Sequence, residues 1–341
     1  MHEPKRLDNQ AYLSSDDIEI VISAENNLYC AWQSLVSHYS CVKNLNITPL
    51  IVVHGFPHEP LHRHYVTLLE HGGRIQRVLN YRSVGSANYA PRNTAATLLN
   101  VKTEAPYIML CDTDFLFLNP ISREVLPKSD NEITFDEISF MTVDREARAS
   151  LIEPAKKAGL DIDRLASFAK VGGAVPHFIP THLAKTLGAD WLRCIEYFAT
   201  SRHPIFWLAS MWALVFAVQR LKISWSITDI AITDSGRTEM IDVHAKRAPS
   251  ILHYSYGNQY FNKRNYSQAD VTLFSSLWNI RAPEGSMSEF ICAYLTEVKC
   301  SYDIRYSLLD RLRASFNYFS PQTIKQRLRH AVSYFSETKV R

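Results

Sequence analysis

The chain has 341 residues, 46% of them hydrophobic, which is enough for a large buried core. Its 37 Lys and Arg residues against 34 Asp and Glu residues leave a formal net charge of +3, too small to predict a nucleic-acid-binding protein. Residues 305–341 hold eight Lys or Arg residues and only two acidic ones. The positive charge is therefore concentrated at the C-terminus.

The sequence carries no clear export or membrane signal. Its six cysteines show no CxxC spacing and mostly lie in apolar stretches, which is typical of reduced, buried thiols. The first ten residues are polar, and the longest apolar run, residues 206–218, is shorter than the roughly 20 residues that a membrane-spanning helix needs. We therefore expect a cytoplasmic protein with a buried helix at this run.

The first third of the chain alternates strand-length apolar segments with longer mixed segments, as in a parallel sheet covered by helices. Strands are predicted at 18–24, 49–55, 75–80 and, in the sequence YIMLCDTDFLFLNP, from 107. Helices are predicted between them at 26–39, 60–73 and 90–105. The run from 107 is almost continuously apolar, which indicates a strand buried on both faces.

Beyond residue 120 the pattern is less regular. We predict a strand at ISFMTVD (138–144), a strand or bend at 171–180, two helices through residue 218, and helix from about 286. Short strands are predicted at SITDIAITD (226–234) and SILHYS (250–255). No long Gly/Ser linker interrupts the chain, so we expect one unit with a C-terminal extension.

Asp112 and Asp114 stand at the end of the fourth predicted strand. Side chains two residues apart in an extended chain project to the same face, so these two carboxylates can share one cation. The carboxyl ends of parallel strands face the crevice in which open α/β sheets bind nucleotides. Oxygen ligands of this kind suit Mn²⁺ or Mg²⁺.

Two other motifs resemble metal sites but have simpler explanations. A second Asp-x-Asp, at 161–163, follows a glycine and precedes a helical segment, so one of its aspartates is better explained as a helix N-cap. The sequence HEPLH at 58–62 matches the zinc-protease pattern HExxH, but Pro60 favours the first turn of a helix and would leave the first histidine outside it. The nearby His64 and His71 are predicted to be helix-surface residues.

His253 is the candidate for a third metal ligand. A single histidine on a short apolar strand is usually a satisfied core residue. The run that follows it, however, combines aromatic residues and a glycine with the cations Lys263 and Arg264, as expected of a loop that closes on a nucleotide diphosphate.

The order of these segments resembles GT-A glycosyltransferases. The segments are a first strand ending in Ser-Ala-Glu-Asn, an Arg-Asn-containing helix before the metal strand, YIMLCDTDFLFLNP itself, and a late LHY followed by a lysine. Within that superfamily the chain is most similar to the enzymes that glycosylate hydroxyproline and serine, and to their bacterial relatives. The resemblance covers about residues 18–266.

This resemblance implies a GT-A type, Rossmann-like mixed sheet flanked by helices, with a helical C-terminal extension. Residues 1–17 would be a tail, 18–120 the nucleotide-sugar-binding half, 121–285 the acceptor-binding half, and 286–341 the extension. The implied reaction moves a sugar from a nucleotide diphosphate sugar, such as a UDP-sugar, to a hydroxyl of a glycan, lipid-linked glycan or protein. A bound Mn²⁺ or Mg²⁺ would stabilise the charge that builds up on the leaving diphosphate.

The resemblance also assigns roles to single residues. The metal ligands would be Asp112, Asp114 and His253, with Asp112 also near the ribose or the diphosphate. Contacts to the sugar donor are implied for Lys263 at the phosphates, Ala24 and Asn26 at the nucleoside, and Arg92 and Asn93. For Arg92, solvation at the start of a helix is the alternative. Gly172 and Gly173 would let the backbone approach the donor sugar or would simply form a bend.

The chain departs from the family at one segment. Where the family has a Trp-x-x-Glu-Met-aromatic sequence that supplies an acidic group, this chain has Ser210, which cannot replace a carboxylate base. Because an inverting reaction needs a general base, the change favours a retaining mechanism, or a base elsewhere such as Asp144 or Asp229. Trp207 and Trp212 would stack on the acceptor or belong to the core.

Apolar residues recur at helical spacing from residue 308 onward, with Arg and Lys between them. A basic amphipathic helix of this kind can lie on an anionic membrane surface, so residues 305–341 are a candidate membrane contact at the cytoplasmic face. Docking on the catalytic domain or on a partner is the alternative.

Two other functions stay open at this point. A nucleotidyltransferase would use a similar metal site, but such enzymes usually have a Gly-rich loop after the first strand, and SAENNLYCAW contains no glycine. A non-catalytic carbohydrate- or nucleotide-binding protein would explain the missing acidic group at Ser210.

Overall fold

A mixed sheet forms the centre of this computed structural model. Its seven strands are β1 (Ile18–Glu25), β2 (Leu50–Gly55), β3 (Arg74–Leu79), β4 (Tyr107–Asp112), β6 (Glu132–Asp136), β7 (His177–Pro180) and β8 (Ser224–Thr228). They are arranged in the order β3-β2-β1-β4-β7-β6-β8. The structure describes residues 11–85, 87–137, 141, 143, 145–165, 175–198, 208–233, 249–255, 260–268, 270, 282–309 and 311–312.

The strand directions bring most carboxyl ends to one edge of this sheet. Parallel pairing joins β1 to β2 and β4, β2 to β3, and β6 to β8, whereas β7 is antiparallel to both β4 and β6. Six strands therefore share one direction and end at the same edge. The register places Ser23 of β1 beside Asp112 of β4, so the end of the first strand adjoins the acidic pair.

A second, three-stranded sheet follows the turn after β4. It consists of β5 (Phe115–Phe117), β9 (Ala231–Thr233) and β10 (Ile251–His253), with β10 in the middle. Only Thr113 and Asp114 separate β4 from β5, so the chain passes from one sheet to the other at the acidic pair. His253 pairs with Phe115 in the β5–β10 ladder.

Helices flank the central sheet, as the sequence predicts. They are α1 (Leu28–Leu45), α2 (Arg63–Glu70), α3 (Arg92–Asn100), α4 (Arg145–Ala158), α5 (Ile162–Leu165), α6 (Thr181–Phe198), α7 (Ala209–Arg220) and α8 (Met287–Ser301). Most residues of α7 are buried, in agreement with the buried helix predicted for the apolar run. No helix in the described part of the chain is long and apolar enough to cross a membrane.

The strand predicted at 138–144 lies mostly outside the described residues, and the first strand of the central sheet after residue 120 is one that the sequence pattern did not predict. The strand of this region is β6, at 132–136, and of residues 138–144 the structure describes only Met141 and Val143. The sequence of β6, EITFD, has charged ends around a short apolar centre, whereas ISFMTVD offers a longer apolar run. Four consecutive buried residues of β6 nevertheless lie between β7 and β8 in the sheet.

Both look-alike metal motifs have the simpler explanation. The segment 58–62 is a turn and coil that precedes α2, so its two histidines do not lie on one helix. In the second Asp-x-Asp, the Asp161 carboxylate accepts a hydrogen bond of 2.9 Å from the Asp163 amide at the start of α5, as an N-cap does.

The expectation of a surface position was wrong for His64. This side chain is 1% exposed and hydrogen-bonds through Nε2 to the carboxylate of Asp270. A partner 206 residues away satisfies its polar ring, so the residue can be buried on the core side of α2. His71 is exposed, as expected.

The six cysteines are free thiols. Cys41, Cys111 and Cys194 are buried, as expected, Cys30 and Cys292 are half-buried, and Cys300 is exposed, contrary to the expectation of a buried thiol. Its position near the end of α8 leaves it on the surface.

Close helix packing fixes the position of α3. Gly188 of α6 lies so near α3 that a Cβ atom there would be 2.6 Å from the Leu99 amide nitrogen and 2.9 Å from the Ala95 carbonyl oxygen. The backbones of α6 and α3 are therefore in direct contact at this position, which only glycine allows. This contact matters for function because α3 begins at the candidate site.

Candidate metal centre and sugar-donor cavity

Three potential metal ligands meet where the two sheets join. Asp112 is the last residue of β4, Asp114 follows two residues later, and His253 is the last residue of β10. One ligand atom from each lies within 4.8 Å of those from the other two. The Tyr254 amide donates a hydrogen bond of 3.1 Å to the Asp114 carbonyl, which extends the β5–β10 pairing and holds His253 near the acidic pair. Strand pairing thus brings together residues that lie 139 positions apart or more.

Helix α1 supports the turn that carries the acidic pair. The hydroxyl of Ser37 lies 2.7 Å from the Thr113 carbonyl oxygen and 2.6 Å from that of Phe115. One turn further along, Ser40 Oγ accepts a hydrogen bond of 3.0 Å from the Phe117 amide. Polar side chains of α1 therefore satisfy backbone groups in the turn after β4 and along β5.

Lys263 adds a buried cation to the cluster. It begins a 3-10 turn, Lys263–Tyr266, and its ammonium donates a hydrogen bond to Oδ2 of Asp114. The same oxygen lies 3.4 Å from Nε2 of His253. Trp32 of α1 fixes the far end of the turn, because its indole N–H donates a hydrogen bond of 3.3 Å to the Tyr266 carbonyl.

The two aspartates differ in their electrostatic environment. Burial and the charge of Asp114 raise the pKa of Asp112 to about 6, against the attraction of His253 and Lys263. Burial also opposes ionisation of Asp114, but the positive charges of Lys263 and His253 hold its pKa well below the usual range. Asp112 therefore keeps a proton in mildly acidic solution, and a bound cation would have to displace it.

This set of side chains fits a divalent cation. Two carboxylates and one imidazole are the oxygen and nitrogen ligands that Mn²⁺ and related ions accept. Burial is the main cause of the raised pKa of Asp112 and the charge of Asp114 adds to it, so a cation beside both carboxylates would favour the ionised form of Asp112. A cation coordinated by Asp112, Asp114 and His253 would have this effect and could polarise a bound diphosphate.

A cavity of about 300 Å³ opens beside the cluster, at the edge where the parallel strands end. Its walls come from the ends of β1 and β4, one side of α1, the start of α3, and the loop after β3. The polar residues that line it are Ser23, Glu25, Asn27, Gln33, Arg82, Asn93, Thr94, Asp112, Thr113, Asp114 and Lys263. This is the location at which open α/β sheets bind their ligands.

A second polar cluster forms the cavity wall beyond the acidic pair. Arg82 donates two hydrogen bonds, of 2.8 and 2.7 Å, to the two carboxylate oxygens of Glu25. The same carboxylate accepts hydrogen bonds of 3.0 Å from the side-chain amides of Asn27 and Asn93. The end of β1 and the loop after β3, which lies on the far side of β2, thus contribute groups that can orient a polar ligand.

The start of α3 also faces this cavity, through Pro91, Asn93 and Thr94. The N-terminus of a helix carries a partial positive charge, which favours an anionic ligand nearby. Together with Lys263 and Arg82, it makes the cavity suitable for a negatively charged ligand despite its carboxylates.

The residues expected at the sugar donor divide into two groups. Ala24, Asn93 and Lys263 line the cavity. Asn26 does not, because its side chain donates to the Pro60 carbonyl at 2.9 Å and accepts from the His62 amide at 2.9 Å. It ties the end of β1 to the segment before α2.

Arg92 is also outside the cavity lining and is only 1% exposed. Its guanidinium donates hydrogen bonds of 2.9 and 2.6 Å to one oxygen of Glu196 and also contacts the carbonyls of Arg82 and Ala87. Arg92 was expected either to contact the sugar donor or to be solvated at the start of α3. In the structure it neither lines the cavity nor is exposed to solvent. Arg92 instead holds the loop that carries Arg82.

The acceptor candidates are placed as follows. Ser210 is buried, and its hydroxyl donates a hydrogen bond of 3.4 Å to the Pro91 carbonyl. Trp212 is 1% exposed in the core, so its ring offers no face to an acceptor sugar. Asp229 is exposed in the turn before β9. Asp144, Gly172, Gly173 and Trp207 lie outside the described residues.

Sequence reasoning missed Glu25 and Arg82. Glu25 stands within the Ser-Ala-Glu-Asn segment at the end of β1, between two residues that were singled out. Arg82 follows β3 by three positions, and its place after the carboxyl end of a strand parallel to β2 was the available signal.

No protein family matches the chain, and no curated protein does. Among solved structures, it is similar to the WbbM bifunctional glycosyltransferase in its apo form, with 11% identity and a TM-score of 0.47 over 84% of this chain; it spans 52% of that protein. It is also similar to an active-site mutant of LgtC, with 11% identity and a TM-score of 0.48 over 83% of this chain and 95% of the other.

The galactosyltransferase LgtC in complex with donor and acceptor sugar analogues gives 14% identity and a TM-score of 0.45, over 85% of this chain and 98% of the other. At these identities and TM-scores, the similarities assign no role to any residue of this chain.

Proposed function

We propose that this chain is a metal-dependent glycosyltransferase of the GT-A type that uses a nucleotide diphosphate sugar, with a UDP-sugar as the first choice. The observation that carries the proposal is the cluster of Asp112, Asp114 and His253, with Lys263, at the edge of a cavity where parallel strands end. A divalent cation there would neutralise charge on the leaving diphosphate and so lower the barrier to breaking the sugar–phosphate bond.

The side chains around the cluster have complementary tasks in this proposal. Asp112, Asp114 and His253 hold the cation, and Lys263 offers an ammonium to the phosphates. Buried cations and a helix N-terminus stabilise a diphosphate more strongly than they would in water, because the surrounding dielectric is low. The Ser37 hydroxyl of α1 and the Tyr254 amide hold the backbone of the acidic pair in advance, so little reorganisation is required during the reaction.

Arg82, rather than Arg92, is the arginine that we assign to the sugar donor. It lines the cavity, its side chain is 42% exposed, and Glu25 holds its guanidinium in a fixed orientation. Arg92 has its hydrogen bonds committed to Glu196 and to loop carbonyls. Asn93 and Ala24 keep their proposed places beside the nucleoside because both line the same cavity.

We favour a retaining reaction. The hydroxyl of Ser210 is buried and bonded to a carbonyl, so it cannot accept the proton of an acceptor. Among the described residues, the carboxylates that line the cavity are Glu25, Asp112 and Asp114, which are engaged with Arg82 or with the metal site. The leaving phosphate oxygen would then take the proton from the acceptor hydroxyl on the same face of the sugar ring. Asp144 stays the alternative base.

The acceptor is proposed to be a glycan, a lipid-linked glycan or a protein side chain. Exposed leucines at 308, 309 and 312, in the described start of the basic segment 305–341, support contact with an anionic membrane surface. Such contact would bring a lipid-linked acceptor to the cavity.

A sugar-donor hydrolysis screen tests the proposal. The full-length protein should hydrolyse or transfer from one of a panel of UDP- and GDP-sugars when Mn²⁺ is present, and Asp114→Asn should lose this activity by at least about a hundredfold. Product configuration, measured by NMR of the anomeric proton, distinguishes retention from inversion.

Thermal unfolding of the protein with nucleotides separates catalysis from binding. Stabilisation by UDP plus Mn²⁺ without turnover of any sugar would favour the non-catalytic binding protein. If no UDP- or GDP-sugar is turned over and no nucleoside diphosphate plus Mn²⁺ raises the melting temperature, the proposal is wrong.

A further inference from the structure

We propose that Lys263 is an exchangeable counter-ion, whose ammonium neutralises Asp114 in the metal-free protein and moves to the diphosphate when a divalent cation binds. This inference rests on the proposed metal and donor site, and it adds what the Lys263 side chain does when the two ligands bind. It predicts that cation and nucleotide each strengthen the binding of the other.

The position of Lys263 motivates this proposal. Its ammonium hydrogen-bonds to Oδ2 of Asp114, and both residues are almost completely buried, at 9% and 5% exposed. Nε2 of His253 lies 3.4 Å from the same carboxylate oxygen. The lysine thus already occupies one of the carboxylate oxygens available to a cation.

The net charge of the buried cluster formed by Asp112, Asp114 and Lys263 limits which ions it can accept. Two ionised aspartates and one ammonium leave a net charge of about −1 when His253 is neutral, and a divalent cation would reverse it to about +1. Like charges a few ångströms apart in a buried site repel each other strongly. Cation binding therefore favours departure of the ammonium from Asp114, towards an anion that can share both positive charges.

The turn that carries Lys263 is held in place, so the side chain can move without the backbone. Trp32 bonds to the Tyr266 carbonyl at 3.3 Å, and Asn262 caps the turn by accepting a hydrogen bond of 3.0 Å from the Arg264 amide. The rings of Phe261 and Tyr266 stack with centroids 6.0 Å apart. A four-carbon side chain on this fixed base can rotate into the cavity that Lys263 lines.

We expect the second anionic partner of the Lys263 ammonium to be a diphosphate. The cavity joins Lys263 to the start of α3 and to Arg82, so an anion held there would face three sources of positive potential. When cation and diphosphate bind together, the ammonium exchanges one anionic partner for another. Either ligand alone leaves one charge uncompensated, which is the physical basis of the coupling.

Isothermal titration of the full-length protein tests the exchange, with Mn²⁺ and UDP as the probes. For the wild type, saturating UDP should strengthen Mn²⁺ binding at least about tenfold. Lys263→Met removes the competing ammonium and should strengthen Mn²⁺ binding without nucleotide about tenfold, while weakening UDP binding at saturating Mn²⁺ by a similar factor. Lys263→Gln, which keeps a hydrogen-bond donor, should behave in the same way.

Arg264→Met is the matched control, because it removes a neighbouring but exposed cation. It should leave Mn²⁺ binding within about twofold of the wild type. If the two Lys263 variants bind Mn²⁺ as the wild type does or more weakly, or if UDP does not strengthen Mn²⁺ binding in the wild type, the exchange does not occur.

Asp114→Asn in the same titration separates this inference from the proposed function. Loss of Mn²⁺ binding in Asp114→Asn together with unchanged binding in the Lys263 variants would overturn the exchange and leave the metal site standing. Unchanged Mn²⁺ binding in Asp114→Asn would overturn the metal site itself.

Discussion

The Ser37 hydroxyl contacts the Thr113 carbonyl, between the two aspartates, at 2.7 Å, and so fixes the acidic pair from the interior of α1. Ser37→Ala should lower the free energy of unfolding by about 1–3 kcal/mol, because two buried carbonyls lose their partner. It should also weaken Mn²⁺ binding by about tenfold, since second-layer contacts orient the ligands. Urea unfolding and Mn²⁺ titration measure the two effects.

Ser34→Ala is the control for this change. Ser34 is equally buried in α1, but its hydroxyl donates a hydrogen bond of 2.8 Å to the Cys30 carbonyl of the same helix rather than to the turn that carries the acidic pair. Mn²⁺ affinity should stay within about twofold. Equal losses of Mn²⁺ binding in the two variants would show that α1 does not act through the Thr113 carbonyl.

Arg82→Ala should weaken binding of the sugar donor by ten- to a hundredfold, as measured by titration with UDP in the presence of Mn²⁺. The change removes a cation from the cavity wall and also leaves the Glu25 carboxylate, 13% exposed, without its ion-pair partner beside an anionic ligand.

Arg77→Ala serves as the comparison for Arg82→Ala, because Arg77 bonds to the backbone carbonyl of Phe56 at 3.1 Å and is not part of the cavity lining. The Arg77→Ala variant should bind UDP with the same affinity as the wild type. A loss of affinity in Arg77→Ala as large as that in Arg82→Ala would mean that net charge alone, rather than position, controls binding.

Asp136 should make the stability of the protein fall as pH rises. Burial raises its pKa to about 7, although the amides of Ile230 and Ala231 donate hydrogen bonds to the carboxylate at 3.0 and 3.4 Å. The unfolded chain releases this proton near pH 4, so between about pH 4 and 7 the folded state binds more protons, and the free energy of unfolding decreases with increasing pH.

Asp136→Asn removes this titration while keeping a hydrogen-bond acceptor. Relative to the wild type, the variant should gain on the order of 2–4 kcal/mol between pH 4 and pH 8, as measured by urea unfolding at both values. Asp229→Asn, an exposed neighbour, should show no such gain. Parallel pH profiles for wild type and Asp136→Asn would contradict the raised pKa.

The exposed leucines at the C-terminus predict binding to anionic vesicles. Leu308, Leu309 and Leu312 are 74%, 61% and 51% exposed and belong to a segment rich in Lys and Arg. Replacing all three by serine in the full-length chain should reduce co-sedimentation with phosphatidylserine vesicles at least about tenfold, because apolar burial adds to electrostatic attraction.

Serine at Val66 and Leu69 of α2, which are 41% and 44% exposed, removes apolar surface elsewhere and should not change vesicle binding. Wild-type protein that stays in the supernatant with anionic vesicles would show that the C-terminal segment has another role.

The elements around the acidic pair were predictable because buried parallel strands give long apolar runs. The predicted strands at 18–24, 49–55 and 75–80 coincide closely with β1, β2 and β3. Strand position also located the acidic pair. His253, in contrast, could be proposed only from the composition of the run that follows it and from a family resemblance, since its pairing with Phe115 joins distant parts of the chain.

Long-range ion pairs account for what the sequence could not reveal. Arg92 looked like a donor contact or a solvated helix start, but its partner Glu196 is 104 residues away. His64 lies in a helix with polar neighbours, and its burial depends on Asp270, 206 residues away. Local hydrophobic patterns predict which residues face a core. They do not predict which distant charged residue will form an ion pair with a buried side chain.

The passage of the chain from one sheet to the other at Thr113 has a mechanical consequence. Asp112 ends a strand of the large sheet, whereas His253 ends the central strand of the small sheet. A cation coordinated by both residues would cross-link the two sheets. Amide hydrogen exchange in β10 should therefore slow when the cation is bound. The exchange rate in the small sheet would then measure metal occupancy even when no sugar is present.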